Sequence, residues 1–488
     1  MADRPNIIFI NTDQQRYETI NALGFDYVDT PNLDRLVNEG VNFSKCYVNS
    51  PVCGPTRASL FSGLSPHNSG ALHNGSRWND SWVTLLADAG YHCVNVGKMH
   101  TGPMGAPWGF HERYIVENKD RSAMPVKYLD ELDKAILAHR LEKPTGTSYA
   151  RDFPDYEERE GAYEWPLPDH LHPDIFVGET AVRWLDLSYG QYSIDKPLFL
   201  EIGFPGPHPP YDPTAEYAEK YLERKYPILP VTQEDMDSQP RGLQGFRQGH
   251  RDQDFDSVSF NPHASHENRH RQRAYYMANM EMIDAQVGDI LDSLERNGLL
   301  DNSVVIFTSD HGDNLGDHGI SQKWNMYEQS VHIPAVVWSP GRFAGGRDVA
   351  DFYQWFDFGP TMLDLAGVKT PRHYEAISML PALDGEAEAS GRTRVFAEIA
   401  RDQVMQSVEY AIMVRDKRWK CVEYLGDNIG QLFDLENDPD ELQNLWDDPE
   451  HAAIQRELLD AIHVWYVRSS VRASLKNAAP TIRCDLHV

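Results

Sequence analysis

The sequence predicts an α/β fold in which helices cover both faces of a large, mixed but mainly parallel sheet, with a smaller α+β subdomain at the C-terminus. Apolar runs of strand length recur along the chain, and segments with helical spacing of apolar residues lie between them. The composition is that of an ordinary globular protein, with 41% hydrophobic and 24% charged residues. A chain of 488 residues is long enough for one large domain or for two to three ordinary ones.

Four of the apolar runs are followed directly by polar residues. The predicted strands are Asn6–Asn11, His92–Val96, Pro197–Phe204 and Ser303–Thr308. In open α/β sheets, ligands bind beyond the carboxyl ends of the strands. We therefore expect the polar residues that follow these strands to meet in one site.

Two helices are predicted between the strands. The segment Thr30–Gly40 has a Thr cap, a Pro at its first helical position and a Gly at its end. The segment Arg273–Leu299 carries an apolar stripe that we assign to the core. The stripe consists of Met277, Met280, Ile283, Val287, Ile290, Leu291 and Leu294. Residues 104–175 and 212–272 show little periodicity, which predicts long irregular segments that act as lids or oligomer contacts.

A change in composition near residues 366–392, where Gly, Pro and Ala cluster, predicts a boundary between domains 1–370 and 371–488. The second domain is expected to hold short antiparallel strands and one helix. These are Arg394–Ile399, Tyr410–Val414, Trp419–Tyr424 and the helix His451–Val467. The last twenty residues show no clear period, and we expect a tail that docks on a neighbouring subunit of a dimer or tetramer.

The charge balance excludes several classes of partner. With 45 basic against 74 acidic residues the net charge is −29, so neither nucleic acid nor an anionic membrane surface is an expected partner. Near the N-terminus only Ile7–Ile10 are consecutively apolar, too few for a signal peptide, and we expect a cytoplasmic protein. Its cysteines are expected to be reduced thiols. They are Cys46, Cys53, Cys93, Cys421 and Cys484.

The segment around Cys53 is the most informative part of the chain. Pro55 predicts the start of a helix, so Cys53 would lie at its positive end and Arg57 would share its face. That arrangement suits an anion. The alternative is a small buried cysteine beside a turn.

Carboxylates and an imidazole at two strand ends suggest a metal site. Asp13, Asp310 and His311 suit a hard divalent cation that accepts one nitrogen ligand, although Asp13 as a helix cap and Asp310 as a turn residue remain alternatives. Further candidates in the second segment are Asp313, Asp317 and His318. Positive charge and proton transfer would come from Lys98, His100, His208 and Lys323.

These motifs, taken in their order along the chain, resemble those of type I sulfatases, which are members of the alkaline-phosphatase-like superfamily. Cys53-x-Pro-x-Arg57, followed by Gly63, is similar to the family signature, and Gly97-Lys98-Met99-His100 is similar to its Gly-Lys-x-His motif. Other matches are Asn6–Gln14, Thr30–Leu36, His208 in a Pro-His-x-Pro setting, Thr308–Gly312 with Lys323 and Tyr327-Glu328, and Leu432–Leu445. The resemblance spans nearly the whole chain and implies an alkaline-phosphatase-like fold with a sulfatase catalytic domain.

The resemblance also implies roles for the residues. A formylglycine-generating enzyme would convert Cys53 into Cα-formylglycine, whose hydrate supplies the nucleophile. A divalent metal would be held by Asp13, Asp310, His311 and the modified Cys53, with Gln14 as a further oxygen donor. The oxyanion would be held by Arg57, Lys98 and Lys323. Either His208 or Lys323 would protonate the leaving alcohol, and His100 would help to deprotonate the second hydroxyl.

Two positions depart from the commonest family pattern. Asp13 is followed by Gln14 where many sulfatases have two acids, and Asp310 is followed by His311 where many have Asp-Asn. Both variants resemble choline sulfatases and phosphonate monoester hydrolases. Calcium is the first expectation for the metal and manganese the second.

The expected activity is hydrolysis of a small organic sulfate monoester, such as an aryl, choline-like or sugar sulfate. The alternatives are a phosphonate monoester or phosphodiester hydrolase with the same formylglycine, a two-metal phosphatase, and a catalytically silent binding protein. Because a cysteine stands at position 53, the two-metal phosphatase is the weaker of the two enzymatic alternatives. Possible walls for the organic group, or else ordinary packing residues, are Trp78, Trp108, Trp165 and Tyr211.

Overall fold

A computed structural model describes residues 4–117, 130–139, 153–189, 196–253, 256, 258–427 and 429–479. Its centre is an eight-stranded sheet, accompanied by a three-stranded and a four-stranded sheet. The strands are β1 (Asn6–Asp13), β2 (Val41–Phe43), β3 (Cys46–Tyr47), β4 (His92–Gly97), β5 (Glu112–Ile115), β6 (Leu198–Pro207), β7 (Ser303–Ser309), β8 (His332–Ile333), β9 (Ala335–Trp338), β10 (Arg347–Val349), β11 (Tyr353–Gln354), β12 (Val395–Ala400), β13 (Tyr410–Arg415), β14 (Trp419–Leu425) and β15 (Gln431–Asp434).

The large sheet has the strand order β10-β2-β9-β7-β1-β6-β4-β5. Only β9 pairs antiparallel with its two neighbours among the described strands, and the other adjacent pairs are parallel. The small sheets have the orders β11-β3-β8 and β12-β13-β14-β15. The predicted mixed, mainly parallel sheet is therefore confirmed.

Helices cover both faces of the large sheet. They are α1 (Pro31–Glu39), α2 (Cys53–Ser62), α3 (Pro66–Ser69), α4 (Val83–Asp88), α5 (Glu131–Ala138), α6 (Tyr156–Arg159), α7 (Pro173–Arg183), α8 (Ala215–Leu222), α9 (Gln233–Ser238), α10 (Arg241–Asp252), α11 (His266–Arg296), α12 (Glu328–Val331), α13 (Phe358–Leu365), α14 (Leu380–Leu383) and α15 (Ala452–Ser474). No helix of the described residues is long and apolar enough to cross a membrane.

Strand β1 shows how the two faces are built. Successive side chains of a strand point to opposite faces. Ile7 and Phe9 join one buried cluster, which includes α2 and α13. Ile8 and Ile10 join the other, which includes α1, α7 and the predicted stripe of α11. Because both faces are covered, all eight residues of β1 are buried.

The long segments predicted as irregular contain helices. Residues 212–272 hold α8, α9 and α10 and the start of α11, so that prediction is wrong for much of this range. Helix α11 begins at His266 rather than Arg273. Its first two turns are polar and lack the apolar stripe, but Ser265 accepts a hydrogen bond from the backbone N–H of Asn268 and caps the helix (3.1 Å).

The C-terminal region contains the predicted antiparallel sheet, extended by the unpredicted strand β15, and the helix α15. Helix α15 continues past the predicted end at Val467. Two residues that follow α15 contact earlier parts of the chain: the carbonyl of Leu475 accepts a hydrogen bond from Arg372 (2.9 Å), and Lys476 pairs with Asp80 (2.9 Å). Leu475 and Lys476 therefore contact other parts of their own chain. Residues 480–488 of the predicted tail, with Cys484, lie outside the described residues.

A buried ion cluster joins the C-terminal sheet to the larger region. The ammonium of Lys420, in β14, lies 2.7 Å from Glu328 Oε1 and 2.8 Å from Glu441 Oε1. It also donates to the carbonyl of Met326 (2.9 Å). The C-terminal sheet therefore holds the backbone of the segment that carries Lys323. The boundary near residue 370 remains a prediction.

His67 makes a second link, between α3, β12 and α15. Its Nδ1 lies 2.8 Å from Glu398 Oε1, and its Nε2 lies 2.8 Å from Ser469 Oγ. Ser469 donates its own proton to the carbonyl of Tyr466 (3.0 Å), so its oxygen is suited to accept from a protonated His67. Burial lowers the pKa of His67, but Glu398 outweighs it and holds the pKa above its usual value.

We expect the stability contributed by His67 to depend on pH. Because the folded pKa is raised, this contribution is fully present below the ordinary histidine pKa of about 6.5 and is lost as pH rises through the folded value. The substitution His67→Gln should lower the free energy of unfolding more at pH 6 than at pH 9, by about 1 kcal/mol. Urea denaturation at both pH values measures this difference. An equal loss at both would show that His67 is neutral in the folded protein.

Candidate active site

Four parallel strand ends meet at one edge of the large sheet. Strand β1 lies between β7 and β6, and β4 lies beside β6. Asp13 ends β1, and Asp310 follows β7 directly. Lys98 and His208 follow β4 and β6 in the same way. The expectation that the polar residues after these strands meet in one place is confirmed by this geometry.

A close backbone contact lets Lys98 reach the site. Its N–H donates to the carbonyl of Gly203 (2.8 Å). Gly97 has φ of 98°, and a Cβ there would lie 2.1 Å from the Gly203 oxygen. A Cβ on Gly203 would in turn meet the Lys98 carbonyl at 2.0 Å. Glycine is therefore required on both strands if Lys98 is to leave the sheet at this point.

Cys53 lies at the N-terminal end of α2, as predicted, but the helix begins at Cys53 itself rather than at Pro55, and Cys53 is buried. Its Sγ lies 3.1 Å from His311 Nε2 and 3.6 Å from Asp13 Oδ1. Burial and the charge of Asp13 act to raise the pKa of the thiol, but Lys323, His311 and Lys98 outweigh them and lower it to about 5. The unmodified side chain is therefore a thiolate at neutral pH, held at the positive end of a helix.

Asp13, Cys53, Asp310 and His311 form a compact donor cluster, in which one ligand atom from each lies within 4.8 Å of the others. His311 Nδ1 faces the carbonyl of Gly312 (3.0 Å), which can only accept a hydrogen bond. In a neutral ring the proton therefore lies on Nδ1, and the lone pair on Nε2 faces the cluster, as metal ligation requires. Burial lowers the pKa of His311, but Asp310 and Cys53 outweigh it and raise the pKa, so without a metal a protonated Nε2 can donate to the Cys53 thiolate. Two carboxylates with one imidazole suit a divalent cation that prefers oxygen.

Arg57 links this cluster to the sheet. Its Nε donates to Asp310 Oδ2 (2.8 Å), and its Nη1 donates to Asn11 Oδ1 (3.0 Å) and to the carbonyl of Lys98 (2.9 Å). Within the described part of the chain, its buried Nη2 has no hydrogen-bond partner. The planar guanidinium is thus fixed on two sides and keeps one N–H group for an anion.

Two lysines add positive charge. Lys98 forms a buried ion pair with Asp13 Oδ2. Burial acts to raise the pKa of Asp13, but Lys98, His208, Lys323 and His311 outweigh it and hold the pKa well below its usual range. Lys323 donates to the side-chain oxygen of Gln14. The Asp13 carboxylate is therefore ionised and available as a ligand.

The side chain of Gln14 is held by other residues. Its oxygen accepts from Lys323, and its Nε2 donates to Asp313 Oδ2 (2.6 Å). Its backbone has φ of 72°, and its N–H donates to Asp310 Oδ1 (3.0 Å). This unusual backbone conformation at a cluster of charges is typical of a functional site. The contacts favour a role in orienting Asp310 and Lys323, and metal ligation by Gln14 stays a prediction.

The two candidate histidines differ in their surroundings. The N–H of His208 donates to the Asp13 carbonyl (3.1 Å), and its Nδ1 faces the Pro209 carbonyl (2.7 Å), which leaves Nε2 for other partners. His208 Nε2 lies 3.8 Å from Asp256 Oδ2. His100 has φ of 55° and is half-buried, and its Nδ1 has no hydrogen-bond partner among the described residues. Its role remains a prediction.

Three candidates after Asp310 have structural partners instead. Asp313 accepts from Gln14, from the hydroxyl of Tyr211 (2.7 Å) and from the N–H of Leu315 (2.8 Å). Asp317 pairs with Arg16 and Arg273. His318 lies against Asp235 and stacks on Tyr327 with ring centroids 3.8 Å apart. None of the three belongs to the donor cluster found among the described residues.

The aromatic residues considered as substrate walls pack within the protein. Trp78 stacks on Phe61 (5.2 Å between ring centroids), and Trp108 lies 5.8 Å from Trp78. Tyr211 is fully buried, and Trp165 donates to the carbonyl of Pro168 (3.3 Å). The packing interpretation fits these contacts.

Sequence reasoning missed a polar chain beneath Arg57. Asn11 donates to Glu201 Oε1 (2.7 Å), and Asn95 donates to the other oxygen of the same carboxylate. Burial raises the pKa of Glu201 to about 7, against the effects of Asn11 and Arg57. Because a carboxylate favours the NH₂ group of Asn11, it directs the Asn11 oxygen towards Arg57. The signal was visible as an acid inside the buried run Pro197–Phe204.

Comparison with known proteins gives matches over almost the whole chain. A family model described as Sulfatase matches residues 5–368, and one described as N-sulphoglucosamine sulphohydrolase, C-terminal, matches residues 316–466. An arylsulfatase of Clostridium perfringens is 28% identical over 467 residues, covering 92% of this chain and 91% of that protein. A choline-sulfatase of Rhizobium meliloti is 29% identical over 456 residues, covering 91% of this chain and 83% of that protein.

Among solved structures, a phosphonate monoester hydrolase of Agrobacterium radiobacter superposes with a TM-score of 0.78. It is 24% identical, and the match covers 96% of each chain. This likeness shows a shared overall fold.

Proposed function

Because the chain belongs to the sulfatase family and is a sulfuric ester hydrolase, we propose that it cleaves a small organic sulfate monoester with a nucleophile made from Cys53. The observation that carries this proposal is the cluster of Asp13, Cys53, Asp310 and His311 at the strand ends. Arg57, Lys98 and Lys323 surround the cluster and supply the positive charge that an anionic ester needs.

A formylglycine at position 53 fits this setting. The side chain at the start of α2 lies beside the donor cluster, so either hydroxyl of an aldehyde hydrate would be close to the residues that hold a metal. We propose that a formylglycine-generating enzyme oxidises Cys53 to Cα-formylglycine after synthesis of the chain. The thiolate itself is the alternative nucleophile, and mass spectrometry separates the two.

The donor set fits one divalent cation, with calcium as the first choice and manganese as the second. Asp13, Asp310 and His311 would hold it through two carboxylates and the Nε2 lone pair. When bound, it would supply Lewis-acid polarisation of the sulfate and lower the pKa of the nucleophilic hydroxyl.

Other side chains would bind the sulfate and transfer protons. Arg57 is fixed by Asp310 and Asn11, so its remaining N–H group is preorganised for a sulfate oxygen. The Pro209 carbonyl holds the proton of a neutral His208 on Nδ1, so His208 would act as an acid through a second proton on Nε2, which its pKa, lowered by burial and by Lys323, opposes. Either this atom or Lys323 Nζ would protonate the leaving alcohol. His100 would take the proton of the second hydroxyl, which releases sulfate.

The names of the relatives suggest the substrate class. The matched proteins include an arylsulfatase, a choline-sulfatase and an N-acetylglucosamine-6-O-sulfatase. All three names denote enzymes that act on a sulfate ester of an organic alcohol. We therefore propose an aryl, choline-like or sugar sulfate, and keep the phosphonate monoester hydrolase as the second candidate because of the structural likeness.

The two candidates differ in the central atom of the substrate. Para-nitrophenyl sulfate and para-nitrophenyl phenylphosphonate release the same alcohol, so the ratio of their kcat/KM values reports on sulfur against phosphorus. With protein co-produced with a formylglycine-generating enzyme, we expect the sulfate to be preferred by about tenfold or more, equivalent to about 1.4 kcal/mol in the transition state. A preference of that size for the phosphonate would support the second candidate and contradict the first. Choline and sugar sulfates then extend the comparison among alcohols.

A further inference from the structure

A cavity of about 240 Å³ is lined by residues of α9 and α10 and by Pro262 and His263. Its lining includes Arg247, Arg251 and His263, together with the amides of Gln244 and Gln248 and the carboxylate of Asp237. None of these residues belongs to the donor cluster around Cys53. The cavity is therefore a separate feature of the surface.

Arg247 lines this cavity and is 9% exposed. Its Nη2 makes one long hydrogen bond, to the carbonyl of Met236 (3.3 Å). In the described ranges, its buried Nη1 has no hydrogen-bond partner. Burial lowers the pKa of Arg247 despite the opposing effects of Tyr327, Asp235 and Asp237. A buried charge without a partner is costly, and an anion in the cavity would offset that cost.

The rim provides further donors. Arg251 is one helical turn after Arg247, so the two share a face of α10, and Arg251 is exposed. The side chain of His263 is also exposed. The one acid in the lining, Asp237, already accepts from Gln233 Nε2 (2.7 Å). In a chain with net charge −29, this grouping of cationic side chains around a cavity is a local exception.

We propose that this cavity binds a small tetrahedral oxyanion such as inorganic sulfate. Arg247 would supply guanidinium N–H donors, and Arg251, His263 and the glutamine amides would complete the shell. An adjacent face of α10 carries Phe246 and His250, whose rings lie 6.1 Å and 6.0 Å from that of Trp324. One helix therefore contacts the proposed anion on one face and the neighbour of Lys323 on the other.

Sulfate binding to the complete chain tests the proposal. Equilibrium dialysis with radiolabelled sulfate, at constant ionic strength maintained with sodium chloride, compares the wild type, Arg247→Met and the control Arg468→Met. Arg468 is an exposed residue of α15, so its replacement makes the same change in charge away from the cavity. We expect Arg247→Met to bind one sulfate fewer per chain, whereas Arg468→Met should match the wild type. Equal binding by the wild type and Arg247→Met would overturn the proposal.

Thermal unfolding separates binding from a purely structural role of Arg247. Without sulfate, Arg247→Met should melt no lower than the wild type, because the lost charge had no partner. Sulfate should then raise the Tm of the wild type more than that of the variant. A lower Tm of the variant without sulfate, with an unchanged shift on adding sulfate, would show a structural role instead. Neither experiment needs turnover, so failure of the proposed sulfatase activity would not mimic failure here.

Discussion

Replacing Cys53 by alanine abolishes turnover, lowering kcat by about 10⁴-fold or more, if this residue provides the nucleophile. The fold should survive, because the site stabilises charge on the substrate, and the Cys53 side chain contributes little to the core. Steady-state kinetics and circular dichroism measure the two effects. The matched control is Cys46→Ala, which removes another fully buried thiol, whose pKa burial raises well above its usual value. Wild-type turnover in Cys53→Ala would exclude covalent catalysis by this residue.

Mass spectrometry of the tryptic peptide 46–57 tests the maturation of the same residue. Conversion should occur at Cys53, with Cys46 in the same peptide left as a thiol. A fully active protein with two unmodified thiols would contradict the formylglycine and favour the thiolate. The low pKa of Cys53 makes that alternative chemically reasonable, so the measurement decides between two defined nucleophiles.

Replacing Asp310 by asparagine is expected to lose the bound metal and to lower kcat/KM by about 10³-fold. The change keeps the shape of the side chain but removes a charge that also pairs with Arg57 (2.8 Å). Breaking this buried pair should cost about 3 kcal/mol in the free energy of unfolding. Elemental analysis of the dialysed protein measures the metal directly and identifies it.

Asp313→Asn is the matched control for Asp310→Asn. Asp313 is also a fully buried acid, but its partners are Gln14, Tyr211 and Leu315. We expect this variant to retain the metal even if it is less stable. Full metal content in Asp310→Asn, or loss of metal only in Asp313→Asn, would contradict the proposed ligand set.

The sequence was sufficient to predict the strands that position the site. Buried parallel strands are continuous apolar runs, so β1, β4, β6 and β7 were visible, and the polar residues after them were correctly expected to converge. Helix α8 and its neighbours were missed because short, polar surface helices lack a strong apolar stripe.

The chemistry of the second segment was harder to predict residue by residue. Asp310 and Asp317 look equivalent in the sequence, yet one joins the donor cluster and the other pairs with arginines. Spacing along an irregular loop does not determine where each side chain points. The partners of Asp317 are Arg16 and Arg273, which lie far away in the sequence, so only the tertiary structure reveals them.

The ion cluster around Lys420 has a consequence for the way this chain can vary. Lys420 holds the carbonyl of Met326, three residues after Lys323, and it is itself held by Glu328 and Glu441. A composition change separates the two regions in the sequence, but the backbone of the segment that carries Lys323, a proposed substrate-binding residue, is held by residues from both. We therefore expect a deletion or insertion in the C-terminal sheet to displace the segment that carries Lys323, so that neither region can change its length independently of the other.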